Sequence, residues 1–136
     1  MLGTGADARA LGTLEVVLRD SADSRVYSYR NKAQWQQLVD YRILGQGALC
    51  VAVESLALAA WRCLGCRDAG RVDVRLDAAG EPALIEVNPL AGLTPGHSDL
   101  PILADLLGME YRELIHAILA CALQRLGLRS EHVAAA

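Results

Sequence analysis

Residues 71–88 read RVDVRLDAAGEPALIEVN. Two alternating runs flank DAAGEP, a turn carrying glycine and proline, and this pattern predicts a β-hairpin. Alternation puts Val72, Val74 and Leu76 on one face, together with Ala83, Ile85 and Val87 of the partner strand. That face is wholly apolar and is expected on the core. Keeping it dry requires Asp73 opposite Glu86 and Arg71 opposite Asn88, because a one-residue slip would carry charges into the core face. Directly opposed side chains stand about 4.5–5.5 Å apart at Cβ. The other face therefore gathers Arg71, Asp73, Glu86 and Asn88 in a tight square.

The square has two readings on its residues alone. Two facing carboxylates repel unless something positive intervenes, and Arg71 and Arg75 can supply that charge as salt-bridge partners on a solvated face. The other reading is a hard cation held by carboxylate and amide oxygens, a donor set that suits Mg²⁺ or Mn²⁺. The strand then breaks into NPLAGLTPGHS, residues 88–98, which is too long for a tight turn. Its glycines let backbone N–H groups approach a ligand. Ser98 and Asp99 follow at a predicted helix start, whose free N–H groups attract anions, although Ser98 would serve as an N-cap in any protein. The three features adjoin in sequence and describe a place where phosphates and a carboxylate could meet.

The bulk properties narrow the classes. A chain of 136 residues carries one core. At 53% hydrophobic and 21% charged it is globular rather than disordered. A net charge of −3 with no basic run gives no reason to expect nucleic acid. The start, MLGTGADARALG, lacks the pattern of a signal peptide. The most apolar run, ALCVAVESLALAAW, holds Glu54 and is too short to span a bilayer. A cytoplasmic location with no membrane partner is the expectation. CLGC at 63–66 has metal or redox spacing, but no second pair accompanies it and the histidines are His97, His116 and His132. A structural zinc site wants four such ligands, so Cys50, Cys63, Cys66 and Cys121 read as small buried hydrophobes.

Along the chain, residues 10–19 predict a first strand, DSADS at 20–24 a turn, and residues 25–29 a second strand. NKAQWQQLVDYRIL, residues 31–44, reads as a loop entering a short helix. Helices are predicted over 48–64, 99–107 and 111–126, each closed by a glycine: Gly65, Gly108 and Gly127. The fold class is α+β, an antiparallel β-sheet with helices packed on one face.

The stretch GCRDAGRVDVRLDAAGEPALIEVNPLAGLTPGHSDLPILADLLGMEYRELIHAIL, residues 65–119, resembles the C-terminal part of D-alanine–D-alanine ligases of the ATP-grasp superfamily. RVDVRLD, EVN and a glycine loop ending in HS carry the resemblance together. It implies the C-terminal half of an ATP-grasp fold, with residues 1–136 as a single catalytic subdomain and the N-terminal substrate domain and central ATP-binding domain absent. It also implies ATP-dependent joining of two D-alanines through an acyl phosphate in peptidoglycan precursor synthesis, with ATP and two Mg²⁺ or Mn²⁺ ions as cofactors. By position, Asp73, Glu86 and Asn88 match the metal ligands. Arg71 and the backbone N–H of Gly92 match the groups that stabilise the tetrahedral oxyanion. Ser98 matches the serine that binds the carboxylate of the second D-alanine. VYSYRNKAQW, residues 26–35, resembles the segment bearing a mobile loop, which makes Lys32 the lysine that reaches the phosphates. Asp99 stands where an apolar residue is common in the family. Another ATP-grasp carboxylate–amine ligase is a rival reading, as is a truncated, non-catalytic module that binds a metal or a partner. An unpaired edge on the first strand would favour a homodimer.

Overall fold

The computed structural model describes residues 1–18 and 39–128. Its element order is β1 (Leu14–Leu18), β2 (Val39–Ile43), α1 (Ala48–Cys63), β3 (Arg71–Leu76), β4 (Pro82–Asn88), α2 (Asp99–Leu106) and α3 (Tyr111–Arg125). This is the expected α+β arrangement of antiparallel strands and helices. Among the described residues the strands form two separate pairs, β1 with β2 and β3 with β4. The helix expected to follow the loop over 31–44 is corrected in part: residues 39–43 are a strand, with Tyr41 opposite Val16 and Val39 opposite Leu18. Lys32 and the strand expected at 25–29 lie outside the described residues.

All three helices stop where a glycine lets the chain turn with positive φ: +63° at Gly65, +76° at Gly108 and +67° at Gly127. In each case the next N–H reaches back to a carbonyl of the last turn. Cys66 donates to Trp61 at 3.0 Å, Met109 to Ala104 at 2.9 Å and Leu128 to Leu123 at 2.9 Å. Those bonds satisfy carbonyls that a helix end would otherwise leave bare. The start of α3 is fixed as firmly, by a capping box between Glu110 and Glu113.

Two apolar clusters hold the elements together. In the first, Ala57 and Trp61 of α1 meet Met1, Ala8 and Cys66, with Val72 and Val87 of the β3–β4 hairpin packed against them. In the second, Leu100 and Ala104 of α2 pack on Leu114 of α3, with Leu11, Ala69 and Met109 around them. Trp61 is wholly buried and its indole N–H donates to the Gly3 carbonyl at 3.0 Å, so its polar atom is satisfied. The N-terminal residues belong to this core: Leu2 is fully buried and bridges both Arg9 and Ala69. Among the cysteines, Cys50 and Cys66 are buried as expected, whereas Cys63 is exposed on the outer side of α1; all four are free thiols. Burial, assisted by Glu54, pushes the Cys50 thiol above its ordinary value.

Gly70 precedes β3 where nothing larger fits. A Cβ there would lie 2.6 Å from the Asn88 carbonyl oxygen and 2.6 Å from the Trp61 ring. Gly70→Ala must therefore displace either the hairpin or the buried indole. We expect a loss of about 1–3 kcal/mol in urea unfolding, the usual cost of overpacking.

A second tie joins distant segments. Arg125, in the last turn of α3, donates to both oxygens of Asp68 at 2.9 and 2.7 Å. Hydrogen bonding to Arg125 holds the Asp68 carboxyl below its usual range, against the opposing effect of burial. A depressed carboxyl stabilises the fold above its unfolded pKa, near 3.9, and that contribution disappears as pH falls through the lower folded value. Arg125→Ala should accordingly lower the melting temperature near neutrality, and the gap to the parent protein should close in thermal melts taken towards pH 2.

Candidate functional site

The hairpin register is the expected one where the polar residues lie. Arg71 stands opposite Asn88, Val72 opposite Val87, and Asp73 opposite Glu86. Beyond Asp73 it departs from strict alternation. A β-bulge shifts the pairing so that Val74 faces Leu84, and Ile85 is left over. Ile85 is 62% exposed, and Leu76, Ala83 and Leu84 are exposed too. The continuous apolar face expected from Val72 to Leu76 therefore ends at the bulge, and α1 covers only the Val72–Val87 end. A bulge re-aims side chains and ends regular pairing; here it comes directly after the paired carboxylates.

The polar square closes around Arg71. Its Nε donates to Asp73 Oδ1 at 2.6 Å and its Nη2 to Asp73 Oδ2 at 3.0 Å, a two-point grip. Nη2 also lies 3.5 Å from Glu86 Oε1, and Nη1 donates to Asp99 Oδ2 at 2.7 Å. Burial works against the Arg71 charge, but the Asp73 hydrogen bond and the charges of Asp73, Asp99 and Glu86 outweigh it and hold the guanidinium above its ordinary value. Asp99 was conspicuous in the sequence only as a charge at a position usually apolar, and its pairing with Arg71 is a tertiary contact that no local pattern foretells. Tyr41 also belongs to this network, since its hydroxyl donates to Asp99 Oδ1 at 3.1 Å. Its segment read as a loop entering a helix, although the alternation of VDYRI, residues 39–43, is a signal that could have placed it on a strand.

The remaining predicted residues lie in the loop that follows. The Asn88 side-chain oxygen accepts from the Leu90 N–H at 3.3 Å and bends the chain out of β4. Gly92 and Ser98 are neighbours in space: a Cβ on Gly92 would stand 2.6 Å from Ser98 Oγ. Ser98 occupies the N-cap position of α2 yet makes no capping bond with its side chain. Its hydroxyl oxygen instead accepts from the Thr94 N–H at 3.1 Å. The structure thus brings Arg71, Asp73 and Glu86 into one ionic cluster and joins Gly92 to Ser98, with Asp99 linking the two groups. A cavity of about 600 Å³ lies beside them between β2 and α2, lined by Tyr41, Pro95, Pro101 and Tyr111 among others. It shares Tyr41 with the cluster but contains neither Arg71 nor its hairpin carboxylates, so the ionic cluster lies on the sheet face outside this cavity.

Comparison with solved structures defines the class. The D-alanine–D-alanine ligase of Bacillus anthracis aligns with a TM-score of 0.57 at 32% identity, covering 63% of this chain and 28% of that one. The same enzyme complexed with ATP aligns with a TM-score of 0.56 over 62% of this chain and 30% of its own. The fold is α+β and is shared with these ATP-grasp ligases. Residues 2–120 match the family described as D-ala D-ala ligase C-terminus, and the chain belongs to that family. Among curated relatives, the D-alanine–D-alanine ligase of Bordetella avium is 40% identical over 124 residues, spanning 90% of this chain and 37% of its own length. That of Cupriavidus pinatubonensis is 37% identical over 126 residues, spanning 90% and 36%. The chain spans little more than a third of the relatives it matches.

The Gly92–Ser98 contact has a direct test. Gly92→Ala drives a methyl group against Ser98 Oγ, which must move and release the Thr94 N–H. Hydrogen exchange at the Thr94 amide should accelerate in the variant by roughly tenfold, the order expected for one lost hydrogen bond.

Proposed function

We propose that the chain forms the C-terminal catalytic portion of an ATP-dependent D-alanine–D-alanine ligase that supplies a peptidoglycan precursor in the cytoplasm. The observation that carries this reading is the convergence of Arg71, Asp73 and Glu86 at one end of a hairpin, beside a loop that packs Gly92 on Ser98. In this reaction the γ-phosphoryl group of ATP passes to the carboxylate of one D-alanine. The amine of a second D-alanine then attacks the acyl phosphate, and phosphate leaves.

The donor set suits the cofactor that the family implies. Asp73, Glu86 and Asn88 offer side-chain oxygens as ligands, and Asp73, Glu86 and Asp99 all pair with Arg71. Mg²⁺ or Mn²⁺ would offset the carboxylate charge, and Asp73, Glu86 and Asn88 would hold two such ions, which would supply charge neutralisation for the ATP phosphates. The chain's own groups do the rest. Arg71 and the Gly92 N–H are the donors for the oxyanion that develops when the amine adds. Ser98 already accepts from Thr94 through its oxygen, which leaves its own hydrogen to donate to the carboxylate of the incoming D-alanine. Lys32 serves the phosphates in this scheme.

Phosphate release from ATP and D-alanine tests the proposal, with the chain assayed alone and joined to the N-terminal two thirds of the Bordetella avium ligase. The joined enzyme should turn over. Glu86→Gln keeps the shape but removes a charge, so it should raise the Mg²⁺ concentration needed and abolish most turnover. Arg71→Ala should lower kcat by roughly 10²-fold or more with little change in the KM for ATP, because the oxyanion charge it is proposed to meet develops only in the transition state. A rise confined to the KM for ATP would reassign Arg71 to ground-state phosphate binding. A joined enzyme that is folded but inert would overturn the proposal.

A further inference from the structure

Arg71 is surrounded by three acceptors. One N–H from Nε, two from Nη2 and one from Nη1 point to Asp73, Glu86 and Asp99. A guanidinium has five N–H groups, so among the described residues a single Nη1 hydrogen is left over. Asp73 and Glu86 belong to the hairpin that carries Arg71 and would hold the guanidinium wherever that hairpin went. Asp99 does not: it comes from the first turn of α2.

The Arg71–Asp99 pair differs from an ordinary surface ion pair, which is worth little because both side chains are mobile and solvated. The side chains of Arg71 and Asp99 are only 25% and 20% exposed, and the bond is 2.7 Å long. The second oxygen of Asp99 is also engaged, by the Tyr41 hydroxyl at 3.1 Å. The carboxylate is thus fixed from β2 on one side while it fixes Arg71 of β3 on the other. Its place at the N-terminus of α2 favours its negative charge through the helix dipole.

We infer that Asp99 is a positioning residue: held by Tyr41, it locks the Arg71 guanidinium so that the remaining Nη1 hydrogen is presented to an incoming anion. This rests on the oxyanion role proposed above for Arg71. The lock also joins the two strand pairs, which among the described residues form separate sheets. Asp99 acts through Arg71 and needs no contact with substrate.

The test has a spectroscopic arm on the 136-residue chain and a kinetic arm on the joined enzyme. In the chain, rotation of the Arg71 guanidinium about its Nε–Cζ bond is followed by nitrogen-detected NMR. Asp99→Asn, which keeps shape and removes charge, should speed that rotation roughly tenfold, as expected for loss of a charge-assisted hydrogen bond. Tyr41→Phe removes only the hydroxyl and should act in the same direction more weakly, with no further effect once Asp99 is Asn; it also supplies the measurement should Asp99→Asn fold poorly. Asp99→Glu, which restores the charge, should recover part of the rigidity. In the joined enzyme Asp99→Asn should lower kcat by roughly tenfold to a hundredfold with the KM for ATP unchanged, and should cost nothing more when Arg71 is already Ala. Unchanged Arg71 rotation overturns the inference. So does a rise in kcat, which would make Asp99 a competitor for Arg71, and so does an equal loss in the Arg71→Ala background, which would make its role independent of Arg71. If Arg71→Ala leaves kcat intact while Asp99→Asn still frees the guanidinium, the oxyanion role fails and the lock stands.

Discussion

The contact between the Trp61 indole and the backbone at Gly70 anchors the end of the hairpin that carries Arg71, Asp73, Glu86 and Asn88. The ring is fully buried against a glycine whose only possible substituent is hydrogen, and the next residue is Arg71. Because Gly70 also lies against the Asn88 carbonyl, the open end of the hairpin is clamped on α1 where its four polar residues sit. At the far end of the hairpin the apolar side chains Leu76, Leu84 and Ile85 are exposed. The precise part of the sheet is thus the part resting on Trp61. A cluster of like charges needs such a base, since repulsion between facing carboxylates would otherwise open the strands.

What the sequence disclosed depended on how local the cause was. Helix ends were legible because a glycine with positive φ acts within one turn, and Gly65, Gly108 and Gly127 do so. The pairing of Asp73 with Glu86 was legible because alternation carries one bit of information per residue, and an apolar face has only one dry register. The same rule failed at Ile85, since a bulge adds a residue without altering the composition of the strand. Strand β2 was missed although VDYRI, residues 39–43, alternates apolar and charged side chains, because that run is short and follows the good helix formers of QWQQL; pairing with β1 decides its state. Burial of Met1 and Leu2 was missed for a similar reason: nothing within a dozen residues reveals that α1 and the residues before β3 receive them.

In the candidate site, residue identity was legible and mutual arrangement was not. Arg71, Asp73, Glu86, Gly92 and Ser98 could all be named from pattern and resemblance. Which carboxylate holds which nitrogen could not, because three candidates compete for one guanidinium and the outcome depends on where α2 begins. Asp99 wins Nη1 because the helix start and the Tyr41 hydroxyl place it there. A charge at a position where apolar residues are usual thus reads locally as an exception and structurally as a connection.

The contact between Gly92 and Ser98 bears on how this loop can change over generations. With the hydroxyl in place, any side chain at 92 begins 2.6 Å from oxygen. The two positions are therefore not free to drift separately. A lineage that trims Ser98 to glycine or alanine makes room at 92, whereas one that enlarges 92 first passes through a crowded intermediate.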